Sequence, residues 1–203
     1  MVKCVLVMDN YNTYISYMNY IKNILLFFLT FLIIYLYTLP RYISYLPTLP
    51  VYPNSIEESN EVEEYTKTRT LEDIDFFKKT DKSVTYAFLD IVPMFESELN
   101  SLITQPFIII LLYLLKYIIN RPRPYQLNKN INVLVSKTGN TPAFPAGHAL
   151  QAYYLSKHLS ILFPDKKEEL YETARKCDIC RIKAGIHYKS DGEFSKKIVE
   201  YIF

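Results

Sequence analysis

Residues 106 to 119 read Pro-Phe-Ile-Ile-Ile-Leu-Leu-Tyr-Leu-Leu-Lys-Tyr-Ile-Ile, and Asn-Arg-Pro-Arg-Pro follows at once. Proline at a first helical position has its φ already set and gives up only an amide that would be unpaired there, so a helix is expected from Pro106. A helix this apolar either spans a membrane or forms the centre of a globular domain, and the uncharged run from Leu99 to Leu115 suits both. Two later segments bear on the choice. The stretch opened by Gly147 carries Lys157 and His158, and the one after Asp191 carries Glu193, Lys196, Lys197 and Glu200. Charges that dense are costly at a bilayer centre, so neither segment spans. Between them, Asp165 to Ile182 is rich in acidic and basic residues, while Leu170, Ala174, Cys177 and Ala184 mark one apolar stripe at helical spacing. No strand-like alternation is long enough for a sheet, and no internal repeat is present. The expected class is all-α, a compact helical bundle.

The 203 residues allow one domain with an ample core plus an appendage. Residues 23 to 40 contain no charge, are bracketed by Lys22 and Arg41, and have Tyr20, Tyr35, Tyr37 and Tyr42 near their ends. They are read as one uncleaved N-terminal transmembrane helix, preceded by a tail over 1–22. A cleaved signal peptide fits less well, because the preceding segment is long and polar and no small-residue cleavage site follows. A buried helix is the alternative. Lys3 and Lys22 before the span, against Arg41 after it, place the rest of the chain on the lumenal or extracellular side of a membrane. Pro47, Pro50 and Pro53, then Glu57, Glu58, Glu61, Glu63 and Glu64, make 41–69 a proline-rich and acidic linker, with the glutamates as a solvated spacer. The helical domain is expected over 70–203. It opens with the capping pattern Thr70-Leu-Glu-Asp73, puts Ile74 and Phe77 on one helix face, and continues with a helix from Ser83 to about Ile91 that Pro93 interrupts. A net charge of +2 without a long basic run argues against nucleic acid as partner. Cys177 and Cys180 fall within a helical pattern and are read as core thiols; with Cys4 they are too few for a disulfide framework.

Three short clusters carry chemistry. They are Lys116 with Arg123-Pro124, Pro145-Ala146-Gly147-His148, and Cys180-Arg181 with His187 and Asp191 beyond. Together they supply three cations, two imidazoles and one carboxylate, an inventory for holding a phosphate-like dianion while one imidazole attacks and the other handles a proton. Lys116 and Arg123 would lie two helical turns apart, although Pro122 and Pro124 are expected to break the helix first. Arg121 is read as a surface cation and His158 as a surface histidine.

The order and spacing of these clusters resemble the superfamily that joins type 2 phosphatidic acid phosphatases, bacterial class A acid phosphatases and vanadium haloperoxidases. Its signature is Lys-x6-Arg-Pro, then Pro-Ser-Gly-His, then Ser-Arg-x5-His-x3-Asp. Lys116, Arg123, Pro124, Pro145, Gly147, His148, Arg181, His187 and Asp191 match it, and Ala146 and Cys180 replace its two serines. The resemblance implies a metal-independent phosphatase acting on phosphate monoesters, lipid phosphates or diphosphates through a phosphohistidine. His187 would be the nucleophile, Asp191 its orienting carboxylate and His148 the acid and base. Lys116, Arg123, Ala146, Gly147 and Arg181 would line the phosphate. No cofactor is implied, and vanadate would inhibit. Two alternatives stay open: a membrane-tethered phosphate-binding protein impaired by Ala146, and a haloperoxidase with vanadate as prosthetic group. Substrate and oligomeric state are left open.

Overall fold

A computed structural model describes residues 52–203, together with eight positions between 20 and 31. Most of the expected anchor over 23–40, the tail over 1–22 and Cys4 lie outside the described residues. Two units are distinguished, residues 1–39 and 40–203. Among the described residues no single helix is long and apolar enough to cross a membrane; only the pair Glu96–Ile103 and Pro106–Leu127, bent by 51°, has the length and composition together.

The described part of the second unit is all helical: α1 (Ser55–Lys67), α2 (Leu71–Lys82), α3 (Glu96–Ile103), α4 (Pro106–Ile119), α5 (Pro124–Leu127), α6 (Gly147–Leu162), α7 (Lys167–Lys183) and α8 (Lys189–Ile202). Short 3-10 turns at Val84–Ala87 and Pro164–Lys166 complete it. α6 lies at the centre and packs along both α7 and α8. Ala149, Leu150, Ala152 and Leu155 on its flank are buried completely. Small residues at 149 and 152 let the neighbouring helices come close, and Leu170, Ala174 and Cys177 of α7 fill that contact as the stripe predicts.

Local signals act where they were read. Thr70 and Asp73 form a reciprocal capping box that starts α2, with Thr70 Oγ1 accepting from the Asp73 amide at 3.2 Å. Pro106 occupies the first turn of α4. That helix buries Ile108, Leu112, Lys116 and Ile119, and leaves Phe107, Ile110, Tyr113, Leu114 and Ile118 exposed.

Two expectations need correction. The acidic run at 57–64 is not a solvated spacer. It belongs to α1, capped by Asn54, whose side chain accepts from the Ile56 amide, and it buries Glu58, Ser59, Val62 and Thr66 against the domain. Nor does Ser83–Ile91 form an α-helix. Ser83 is extended, its hydroxyl accepts from the Thr85 amide, and only a 3-10 turn follows. Val84, Thr85, Ala87, Phe88, Ile91 and Val92 are all buried. With six of its residues buried and Asp90 exposed, the segment presents no single amphipathic face, so its chain follows the cavity it fills.

Candidate active site

Three chain reversals bring the clusters together. Helix α4 ends one turn after Lys116 at Asn120, whose φ of 50° and amide bond to the Lys116 carbonyl close the helix. Arg121-Pro122-Arg123 then leaves the helix and runs inward, as the prolines dictate. Helix α7 ends two residues past Arg181 in a Schellman motif. The Ile186 amide reaches back to the Arg181 carbonyl, and the Gly185 amide to that of Ile182. Gly185 has a φ of +78°, and a Cβ there would lie 2.6 Å from Ile131, so glycine alone fits the turn. This turn aims His187 back at the end of α4. Finally α6 begins at Gly147, where its first amides, without partners inside the helix, provide an anion-binding end.

The result is a buried cluster. Lys116, Arg123, Arg181, His148, His187 and Asp191 are each at most 8 % exposed. His187 Nδ1 lies 3.0 Å from Asp191 Oδ2, and its Nε2 lies 2.8 Å from Arg123 Nη1. A guanidinium has no lone pair with which to accept, so Nε2 must accept and Nδ1 must carry the proton. The partners thereby assign the tautomer. Asp191, at the start of α8, also accepts from the Tyr188 amide at 3.0 Å, and its other oxygen accepts from Arg121 at 2.7 Å. Burial raises the Asp191 carboxyl above its usual range, opposed first by Arg121.

The cations are held in place by the chain around them. Lys116 Nζ donates to the Pro142 carbonyl at 2.7 Å. Arg123 donates to the carbonyls of Thr141 at 2.9 Å and Ile186 at 2.7 Å. Arg181 donates to Thr80 Oγ1 at 2.7 Å and pairs with Asp81 at 3.4 Å, over the ring of Phe77, while its buried Nε has no partner among the described residues. Burial and the neighbouring Arg123 push the Lys116 ammonium well below its ordinary pKa. Burial likewise drives both imidazoles well below theirs, reinforced at His187 by Arg123 and at His148 by Arg181. His148 Nε2 lies 3.2 Å from the Asp81 carbonyl, so that nitrogen donates and Nδ1 is left to take or give a proton. Three buried cations, Lys116, Arg123 and Arg181, gather here, and a bound dianion would match their charge.

Ala146 offers no hydroxyl, and its amide donates to the Asp191 carbonyl at 3.3 Å. The Cys180 thiol turns away to the Cys177 carbonyl at 3.1 Å. Cys177 and Cys180 are both free and buried. His158 is half-buried and stacked on Tyr154, apart from the cluster. Among the described residues, no three His, Cys, Asp or Glu side chains converge as a metal site would require.

Arg121 corrects the sequence reading outright. It is completely buried, because its charge is matched by Glu58 at 2.5 Å and Asp191 at 2.7 Å. Asp81 was not singled out from sequence. Its carboxylate binds Arg181, the Ser136 hydroxyl and the Lys137 amide, and its carbonyl meets His148. No local pattern flags Asp81, whose partners lie 55 or more positions away.

These features form a buried cluster of three cations and two imidazoles on a helical domain, with Asp191 paired to one of the imidazoles. Residues 99–195, which hold all three clusters, match the family model of the PAP2 superfamily, and the match suggests phosphatase-type activity. No curated protein matches the chain.

Proposed function

We propose that the chain is a metal-independent phosphatase that hydrolyses phosphate monoesters through a phosphohistidine at His187. The observation that carries this reading is the tautomer. Asp191 accepts a hydrogen bond from the Nδ1 proton, which leaves the Nε2 lone pair facing Arg123. A phosphoryl group bound by Lys116, Arg123, Arg181 and the first amides of α6 would present phosphorus to that lone pair.

In the first step the Nε2–P bond forms and the P–O bond to the alcohol breaks. Protonated His148 gives its proton to the departing alkoxide, and Asp191 stabilises the cationic phosphoimidazole. In the second step water loses a proton to His148, its oxygen attacks phosphorus, and the N–P bond breaks to release phosphate. A bound phosphate dianion would offset the charge of Arg181 and Lys116 near His148 and so favour the proton that the first step needs. The uncharged stretch over 23–40 supports a single membrane anchor, with the catalytic domain lumenal or extracellular, and hence lipid phosphates among the candidate substrates.

The test is release of phosphate from p-nitrophenyl phosphate by the full chain in excess chelator. Turnover that vanadate inhibits is expected. Folded protein without turnover at any pH contradicts the proposal and favours the anion-binding alternative, for which Ala146 is the supporting observation.

A further inference from the structure

Arg121 is set apart from the three cations of the phosphate site by its partners, which are two carboxylates and two serine hydroxyls. Its guanidinium is stacked between the rings of Tyr52 at 4.1 Å and Tyr188 at 3.7 Å. Nε donates to Ser55 Oγ at 3.1 Å, and Nη2 donates to Glu58 at 2.5 Å. Nη1 is shared by Ser190 Oγ and Asp191 Oδ1, both at 2.7 Å. Glu58 in turn accepts from the Ser190 hydroxyl at 2.6 Å and from its amide at 3.2 Å. Tyr52, Ser55 and Glu58 all precede residue 99, where the family match begins.

We infer that Arg121, clamped by Glu58 of α1, is a positioning residue for the phosphatase reaction, fixing Asp191 so that its second oxygen holds the Nδ1 proton of His187. The inference rests on the phosphohistidine reading above. Its physical basis is the division of labour between the two Asp191 oxygens. One is gripped by a planar fork that is itself stacked on both faces, so the carboxylate has little freedom to turn. The other is then left in the geometry that fixes the imidazole tautomer. Glu58 completes the grip, since without it Nη2 has no acceptor and the fork can swing. A buried guanidinium shared by two carboxylates is also a unit whose members are costly to remove singly. Helix α1 is thus coupled to the nucleophile through three side chains.

Charge adds a second consequence. Asp191 faces Arg121, Arg123, Lys116 and His187, with Glu58 beyond Arg121 and Asp178 of α7 across Gly192. Among the cations Arg121 opposes the effect of burial most strongly. Without it, Asp191 ionises at a higher pH, and the acid limb of kcat/KM moves upward with it.

The test compares the full chain with Arg121→Met, Arg121→Lys and Glu58→Gln, using p-nitrophenyl phosphate across pH, with the folded fraction measured by circular dichroism. Arg121→Met is expected to lower kcat by about 10²–10⁴-fold, bounded by loss of the carboxylate in a catalytic triad, with KM within about threefold because Arg121 does not touch substrate. Its acid limb rises by roughly one pH unit. Arg121→Lys keeps the limb in place and recovers only part of kcat, since it restores charge without the fork. Glu58→Gln lowers kcat about tenfold with the limb unmoved, one hydrogen bond to a charged group being lost. If Arg121→Met fails to fold, the two conservative variants carry the test. Wild-type kcat per folded site and an unmoved limb in the variants would show a merely structural role and overturn this inference alone. An inactive wild type overturns the phosphatase reading, and this inference with it.

Discussion

Asp178 gives a quantitative test of the packing between α7 and α8. Its Oδ2 accepts from the Tyr153 hydroxyl at 3.1 Å, while its buried Oδ1 has no partner among the described residues. It fills the space over Gly192, where an added Cβ would lie 2.0 Å from Oδ1. Burial lifts its pKa from 3.8 to about 7, with Asp191 and Glu193 adding repulsion and the Tyr153 bond opposing them. A folded pKa above the unfolded one means stability that is whole below about pH 4 and is lost as pH rises through about 7. At 1.36 kcal/mol per pH unit the displacement is worth at most about 4 kcal/mol. Asn has the same shape and no charge, so Asp178→Asn abolishes this loss. Between pH 5 and pH 8 the variant is expected to gain about 2–4 kcal/mol on the wild type, or roughly 5–10 °C in Tm for a chain of this size. His148 and His187 act in the opposite sense, since a depressed imidazole pKa makes stability fall as pH drops below its ordinary 6.5, but they are common to both proteins and cancel. Thermal melts of both chains across pH measure the difference. Stability curves that run parallel from pH 5 to pH 8 would refute the argument.

Two substitutions probe the site itself. His148→Ala should retain slow turnover of p-nitrophenyl phosphate, whose leaving group departs without a proton, and lose alkyl phosphates at least about 10²-fold more severely; steady-state rates on both substrates decide this. Ala146→Ser should raise kcat/KM about 10–100-fold by giving the phosphate a hydrogen bond worth roughly 1.5–3 kcal/mol, and an unchanged value would show that the hydroxyl does not reach the anion.

What could be read from the sequence was local or periodic. The Thr70–Asp73 cap, the Pro106 start and the stripe through Leu170, Ala174 and Cys177 depend on neighbours within one or two turns, and each appears as expected. The ordered clusters revealed the residues that gather at the site, because their spacing reflects two helix ends and one helix start. What could not be read was pairing across long separations. Glu58 resembles its solvated neighbours in composition, and its contacts with Arg121 and Ser190, 63 and 132 positions away, remove it from water. Arg121 was misjudged for the same reason, since surface exposure is the default for arginine until a buried partner is known. The segment after Ser83 failed differently, as its buried residues follow one another too closely in sequence to give a clear helical period.

The central claim is that His187 becomes phosphorylated. Rapid acid-free quenching of the full chain during turnover of radiolabelled phosphate monoester, followed by peptide mapping, measures this directly. The account predicts an acid-labile, base-stable label on His187 that forms without metal, disappears in His187→Ala and accumulates when water attack is slowed in His148→Ala. Turnover without any protein-bound phosphate, or a label that persists in His187→Ala, would contradict it.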